Sequence, residues 1–237
     1  KTKLHQFLVV TLLMCAMQGQ SQDIHFSQIF ETPLLRNPAL AGLFTGDVRI
    51  QSVYRSQWNS VTDAYKTGSL NGEFKLKVGQ ADDFITIGGQ ILYDKAGTVA
   101  LTSTHILPAL NYHKSLSADR NSYLSLGVMG GWVQRSIDRS KMTTNSQFDG
   151  SGYNGTLSTG ETFNKSSYSY FDGSVGMSFN NQLGENEDNN VFVGLAYHHF
   201  NRPSKLSFYS TNKYEMMAKW VGSAGIRMNM TDNSFFT

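Results

Sequence analysis

The chain has 237 residues, of which 20 are basic and 18 acidic, and only 16% of its residues are charged. That charged fraction is below the roughly 25% of an average soluble domain, and the near-neutral balance excludes the basic footprint of a nucleic-acid-binding protein. The single cysteine excludes a disulfide framework. Few charges together with many glycines and aromatic residues favour a β-structure that meets an apolar environment.

Residues 1–21 have the pattern of a secretory signal peptide. Lys1 and Lys3 precede a short apolar run, and small residues follow it up to Ser21. The run is too short for a membrane-spanning helix, so we expect cleavage after Ser21 and export. Cleavage would leave 18 basic and 18 acidic residues, and it would also remove Cys15. No thiol chemistry is therefore expected in the exported protein.

The next segment, residues 22–45, shows neither strand nor helix periodicity. Pro33 and Pro38 lack the amide donor that a central strand needs, and they disfavour one helix that runs through both. Phe26, Phe30 and Leu35 are too apolar for a free tail. We therefore expect this segment to fold against the rest of the chain and to bury these side chains there.

From residue 46 onwards the sequence alternates with the period of two that is typical of strands. The eight expected strands are nine or more residues long, above the usual five or six and suited to tilted membrane strands of about 9–11 residues. Four of them alternate clearly and four more weakly: 69–78, 124–132, 171–179 and 220–230, and then 48–57, 84–93, 101–114 and 191–200.

Each clear strand has one apolar face and one small or polar face. In 69–78, Leu70 and Phe74 share one face, whereas Asn71 and Glu73 share the other. This alternation is typical of transmembrane barrels, whose apolar side chains face lipid. A soluble β-sandwich or a lipocalin-like barrel would show a similar pattern. Strand length, low charge and the signal peptide favour an all-β fold over residues 46–237, an antiparallel transmembrane β-barrel of the outer-membrane type.

This barrel assignment makes specific positions testable. We expect Phe74 and Val175 to face lipid, where an arginine should be costly, and the same change at Ser125 or Ser174 should be much milder if there is space in the lumen. A closed barrel has no free edge, so Pro108 inside an expected strand predicts a β-bulge.

The connections between the expected strands alternate in length. The longest, 136–166, is rich in Gly, Ser, Thr and Asn and is predicted to be an extracellular loop. Strand one would then run outward from a segment 22–45 that lies at the periplasmic mouth. The chain stops at "TDNSFFT", where another apolar strand would begin. Since single-chain bacterial barrels have an even number of strands, we expect the barrel to be incomplete here.

The sequence offers weak candidates for chemistry. His198 and His199 are adjacent in an expected strand, so their side chains should point to opposite faces and not share a metal ion. We interpret them as interface or lumen histidines. "GENEDNN" at 184–190 does not fit the spacing of an EF-hand and is predicted to be a solvated turn. No Gly-x-Ser-x-Gly elbow occurs.

Charged residues of the lumen face have two interpretations. Glu73 and Lys75, with Lys77, could line a pore, or they could pair in the lumen with Arg49, Arg55 or Arg227. Neither interpretation supplies a catalytic group, and we expect no enzyme, no cofactor and no metal site.

Two motifs resemble a known family. "FSQIFETPLLRNPALAG" followed by "GDVRIQSVYRSQW" is similar to the opening of the PorP/SprF family of Bacteroidota outer-membrane proteins. The later stretch "VFVGLAYHHFNRPS" is also like the family. The residues that carry the resemblance, or that we expect to contact a partner beside it, are Phe26, Ser27, Gln28, Phe30, Asn37, Pro38, Ala39, Gly42, Tyr54, Arg55 and Trp58.

The resemblance implies a function. Members work with the type IX secretion and gliding machinery, and they support the export or surface attachment of a cognate secreted adhesin. The implied partners are that adhesin or its C-terminal domain, the secretion machinery and outer-membrane lipid, with no nucleic acid. A small outer-membrane porin or transporter is the alternative, and a membrane hydrolase is a third class. The N-terminal segment would then be a plug, a docking surface for periplasmic machinery, or a packed cap with no partner.

Overall fold

The fold is almost entirely β. A computed structural model describes residues 26, 31–58, 60, 65–79, 82–117, 121–184, 189–204, 207–209, 214–231 and 234–236. Its strands are β1 (Val48–Gln57), β2 (Tyr65–Lys77), β3 (Phe84–Ala96), β4 (Leu101–Ser117), β5 (Ser122–Ser136), β6 (Ser167–Gln182), β7 (Asn190–His198), β8 (Lys219–Thr231) and β9 (Ser234–Phe236). All eight strands expected from the sequence are present, and β9 is added after them.

Each strand pairs antiparallel with its neighbour in sequence, so the sheet has the order β1 to β9. Val48 lies opposite Phe74 in the first pair and Val128 opposite Val175 in a central one. The register shifts between Ser115 and Ser117 in the pair β4–β5 and between Asn229 and Thr231 in the pair β8–β9. Within the described residues, β1 pairs only with β2, and the sheet forms a curled half-barrel. This confirms the expected barrel-type antiparallel architecture.

The two faces of the sheet are reversed relative to a soluble protein. Apolar side chains such as Phe74 (46% exposed) and Trp220 (66% exposed) cover the outer, convex face, whereas Asn71 and Glu73 are buried on the inner, concave face. A continuous apolar outer surface is the one that a bilayer covers. The expected lipid-facing positions Phe74 and Val175 both lie on it.

The lumen space on which a mild effect at Ser125 and Ser174 depended is not present in the described part of the chain. Ser125 is fully buried and its hydroxyl lies 2.6 Å from Nδ1 of His113. Ser174 is also buried, with its hydroxyl 3.0 Å from Nδ1 of His198. Side chains and the N-terminal segment fill the concave face here, so neither serine has room for a larger residue.

The connections divide the sheet into two ends. The short-turn end carries 78–83, 118–121, 183–189 and 232–233, and the residues before β1 enter there. The long-loop end carries 58–64, 97–100, 137–166 and 199–218. Its two longest loops pack together, because the Tyr209 hydroxyl donates to Glu161 Oε2 at 2.7 Å and the ring of Tyr209 lies 4.8 Å from that of Phe163.

The β-bulge expected at Pro108 is absent, and the prediction is wrong. Ile106 pairs with Trp132 and Ala109 with Met129, so β4 and β5 keep one register across the proline. The pairing is interrupted only locally, opposite Gly130 and Gly131. A Cβ on Gly131 would lie 2.0 Å from the carbonyl oxygen of Ile106. The absence of a side chain at Gly131 therefore lets β4 and β5 stay close at the proline, where one backbone hydrogen bond is missing, and no extra residue is inserted.

Helical structure in the described part of the chain is confined to short turns. One α-helical turn spans Pro33–Arg36, and 3₁₀ turns span Pro38–Leu40, Arg139–Lys141 and Asn145–Gln147. None of the helices in the described residues is long and apolar enough to cross a membrane.

Candidate functional site

Residues 31–45 of the N-terminal segment lie in the concave face of the sheet. Pro33 opens the α-helical turn, where a missing amide donor costs nothing. The turn ends at Asn37, whose backbone is extended (φ −160°, ψ 120°), as expected for a residue before proline. The Asn37 side chain accepts a hydrogen bond from the amide of Ala39 at 2.8 Å and so caps the 3₁₀ turn Pro38–Leu40.

The 3₁₀ turn packs against β4, β5, β6 and β7. Asn111 of β4 donates to the carbonyls of Ala39 and Ala41, both at 2.8 Å. Ser178 of β6 donates to the same Ala39 carbonyl at 2.9 Å, and Asn37 donates to the carbonyl of Met177 at 3.1 Å. Backbone groups that the sheet would otherwise bury without partners are thereby satisfied.

A buried carboxylate joins the segment to the first hairpin. Glu73 accepts the amide of Gly42 at 2.7 Å and the guanidinium of Arg49 at 2.6 Å. The Glu73 side chain has no solvent exposure, so both are charge-assisted hydrogen bonds in a water-poor setting. The pairing of Glu73 with Arg49 that the sequence suggested is confirmed.

Three glycines allow the segment and the sheet to approach closely. Gly42 has φ +84°, and a Cβ there would lie 2.1 Å from Thr86 Oγ1. A Cβ on Gly127 would lie 2.5 Å from the carbonyl carbon of Pro38, and one on Gly176 would lie 2.0 Å from Oδ1 of Asn37. Only glycine fits these positions in the observed arrangement.

Apolar contacts complete the packing of the segment. Leu34 and Ala41 are fully buried in a cluster with Leu107, Ala109 and Met129 of the sheet. Phe26 is buried as well, whereas Leu35, which the sequence suggested would be buried, is only partly so. Leu34 takes the inward position because the helical turn directs it towards β4 and β5.

The structure brings only some of the motif residues together. Tyr54 and Trp58 are exposed at the long-loop end of β1, and Arg55 points inward near them with its guanidinium 3.5 Å from Thr67 Oγ1. Ser27, Gln28 and Phe30 lie outside the described residues, as do the expected signal peptide and most of 184–190. The motif residues that are buried are Phe26, Asn37, Pro38, Ala39 and Gly42, and the last four of these contact the concave face.

The expectation that His198 and His199 point to opposite faces is wrong. β7 ends at His198, and His199 has a left-handed backbone (φ +57°), so both side chains turn inward and are buried. Nε2 of His198 donates to the carbonyl of Arg36 at 3.1 Å, and Nδ1 of His199 lies 2.8 Å from Asp172 Oδ1. In the part of the chain that the structure describes, no group of three or more His, Cys, Asp or Glu side chains could hold a metal ion.

Sequence reasoning missed Asn111 and Ser178 as partners of the N-terminal segment. Their signal was present in the alternation, because both are polar residues on the inner face of strands whose outer face is apolar. That signal marks the face, but it does not identify what the face contacts.

Comparison with known proteins agrees with this architecture. The family model for the type IX secretion system membrane protein PorP/SprF matches residues 18–237, a range that includes the N-terminal segment and every strand. No curated protein and no solved structure matches the chain. Because the match covers far more than half of its length, the chain belongs to the PorP/SprF family of type IX secretion system membrane proteins.

Proposed function

We propose that this protein is a non-enzymatic outer-membrane component that supports the export or surface attachment of one cognate secreted adhesin. The family assignment supports the link to type IX secretion, and the apolar convex face supports residence in a membrane. The proposal also includes association with the gliding machinery and specificity for one adhesin.

One observation carries the choice of a holding function over a conducting one. The N-terminal segment occupies the concave face along β4 to β7 and is fixed there by Asn111, Ser178 and Glu73. A conduit needs an open lumen, whereas here an ordered part of the chain occupies the concave face along β4 to β7. An occupied concave face suits a protein that holds two other proteins together.

The two ends of the sheet supply the two contact surfaces that such a protein needs. We infer that the packed loops 137–166 and 199–218 lie outside the cell and meet the cargo. The short-turn end, with the N-terminal segment, would then face the periplasm and the secretion machinery. This orientation follows the general rule that long loops are extracellular and short turns periplasmic.

The test compares adhesin display in three strains. Deletion of the protein should remove the adhesin encoded nearby from the cell surface while other type IX cargo still leaves. Replacement of 140–162 by a short Gly-Ser turn should leave the barrel folded and reduce retention of the adhesin. The Phe26→Ala, Phe30→Ala double variant should disturb the periplasmic end instead. Surface labelling of the adhesin measures each result, and normal adhesin display in the deletion strain would contradict the proposal.

The location and the porin alternative have their own tests. The product should fractionate with the outer membrane, and its gel mobility should change on boiling; recovery as a soluble protein would reject the membrane assignment.

In a planar bilayer, a porin or transporter should conduct ions as purified. We expect low conductance from the wild-type protein, because the N-terminal segment fills the concave face. High wild-type conductance would favour the porin.

A further inference from the structure

A cavity of about 720 Å³ opens at the short-turn end, between the N-terminal segment and the strand ends. Its wall carries four cationic side chains, and no acidic side chain is among the described residues that line it. The chain as a whole is nearly neutral. All charged side chains among the described lining residues are positive, whereas the acidic groups Asp47 and Glu73 lie near Lys75 outside the lining. The four cationic side chains are Arg36, Arg49, Lys75 and Arg227.

One of these cations forms an ion pair, and two others lie beside aromatic rings. Arg49 pairs with the buried Glu73 behind the wall. Nζ of Lys75 lies 4.3 Å from the ring centre of Phe44, and the guanidinium of Arg36 lies 5.3 Å from that of Phe192. Cations beside ring faces keep their charge in a defined place at modest cost.

Burial adds a reason for an anion to enter. Desolvation lowers the pKa of Arg36, which lies on the N-terminal segment. A carboxylate beside the guanidinium would add an attractive interaction, because opposite charges favour the charged form of each other. Electrostatic attraction is also stronger in a partly enclosed cavity than in bulk water.

The remaining wall fits a peptide better than a small ion or a lipid. The volume lies in the range of about 300–1,000 Å³ that is typical of ligand pockets and far exceeds one phosphate ion. Side-chain amides of Asn180 and Asn190 line it, as do the rings of Phe84 and Phe192. Side-chain amides can form hydrogen bonds with peptide groups, and aromatic rings can pack against apolar side chains. The cavity also lies on the concave side, away from the apolar face that lipid would cover.

We propose that this cavity is a binding site for an acidic peptide segment of a partner protein, presented from the short-turn end. Arg36, Lys75 and Arg227 pair with its carboxylates, and Phe84 and Phe192 contact its apolar side chains. The site lies apart from the long-loop surface of the proposed function. It is tested by binding in vitro, so its failure is distinguishable from a failure of adhesin display.

The probe is a fluorescein-labelled six-residue peptide of alternating Asp or Glu and Leu or Phe, titrated with the purified full chain in detergent micelles. Anisotropy should report binding that weakens as salt rises. The same peptide with Asn and Gln in place of its acids should bind at least about tenfold more weakly, as expected for loss of charge-assisted hydrogen bonds. Equal binding of both peptides would overturn the proposal.

Three variants locate the site. Lys75→Gln and Arg227→Gln should each weaken binding of the acidic peptide about tenfold. Lys66→Gln is the matched control, because it removes the same charge from β2 at an exposed position near the other end; its affinity should equal that of the wild type. Equal affinities for Lys66→Gln and Arg227→Gln would place binding elsewhere and reject the cavity.

A fourth variant covers the case in which loss of a cation unfolds the protein. Asn190→Glu adds a negative charge to the wall at a partly exposed position, directly opposite Arg227 in the pairing of β7 with β8. It should weaken binding of the acidic peptide and leave thermal stability unchanged; unchanged affinity would count against the proposal.

Inorganic phosphate and vesicles containing anionic lipid serve as competitors. Binding of either with no binding of the acidic peptide would assign the cavity to phosphate groups and overturn the proposal.

Discussion

The carboxylate of Glu73 accepts a hydrogen bond from the backbone amide of Gly42 at 2.7 Å, and this contact ties the N-terminal segment to β2. The other oxygen of the carboxylate holds Arg49 of β1 at 2.6 Å. One buried group thus joins the N-terminal segment and both strands of the first hairpin. Its loss would leave a partly buried guanidinium and a buried amide without their acceptor.

Glu73→Ala should lower the free energy of unfolding by about 3 kcal/mol, the usual cost of breaking a buried ion pair from one side. It should also expose the N-terminal segment to protease, because the Gly42 amide loses its acceptor. Urea titration in micelles and limited proteolysis measure the two effects. Lys77→Ala is the control, since Lys77 is exposed on the same strand. A Glu73→Ala protein as stable and resistant as this control would contradict the assigned role.

Gly42→Ala and Gly46→Ala separate backbone strain from steric exclusion. Both glycines have positive φ, +84° and +93°, but a Cβ at Gly46 would meet nothing within 4 Å, whereas one at Gly42 would lie 2.1 Å from Thr86 Oγ1. Gly46→Ala should cost about 1 kcal/mol from strain alone. Gly42→Ala should cost about 1–3 kcal/mol more, because the segment must move to relieve overpacking.

Thermal unfolding of the two glycine variants, with proteolysis of the N-terminal segment, gives the comparison. The segment should become more accessible to protease in Gly42→Ala and remain protected in Gly46→Ala. If both variants behaved alike, close packing of the segment at Gly42 would not be what makes glycine necessary there.

The strands and the polarity of their faces were predictable because alternation is local. The outward direction of Phe74 and the inward direction of Glu73 follow from their positions in one strand. The strands in the structure differ from the expected ones mainly in extending further into polar residues at their ends. His199 was mispredicted for the same reason. A period of two assumes that the strand continues, whereas β7 ends at His198 and the next residue is left-handed.

The placement of the N-terminal segment was less predictable, since its contacts are distant in sequence. Asn111 is 72 residues from Ala39, and Ser178 is 139 residues from it. Proline content excluded a strand and a long helix, and apolar content required burial. The choice of partner depended on which inner-face residues the curled sheet brings together. The filled space around Ser125 was unpredictable from the same cause.

Val175→Arg tests the assignment of the outer face. Val175 lies near the middle of β6, where an arginine facing lipid should cost about 2–4 kcal/mol. Phe74→Arg should lower the stability less, because position 74 is close to the short-turn end and the arginine side chain there could reach the membrane–water interface. Asn180→Arg, which faces the cavity at the end of the same strand as Val175, is the control and should be mild. Equal losses for Val175→Arg and Asn180→Arg would reject the assigned register.

The last prediction concerns a carboxylate at the short-turn end, outside the membrane-spanning strands. Asp83 accepts hydrogen bonds from Lys114 at 2.8 Å, the Tyr112 hydroxyl at 2.7 Å and the Ser115 amide at 2.9 Å. These contacts, Lys114 foremost, lower the pKa of Asp83 to about 2. Together they fix the turn between β2 and β3 to the end of β4.

A carboxyl group with a lowered pKa in the folded state stabilises the fold above its unfolded pKa of about 4. Asp83→Asn should therefore be less stable than the wild type at neutral pH, and the difference should persist down to about pH 4. It should shrink as the pH falls towards 2, because protonation then removes the same charge from the wild type. Urea titrations at a series of pH values measure this difference, with Asp82→Asn as the neighbouring control. A difference that stayed constant from pH 6 to pH 2 would show that the Asp83 charge does not stabilise this turn.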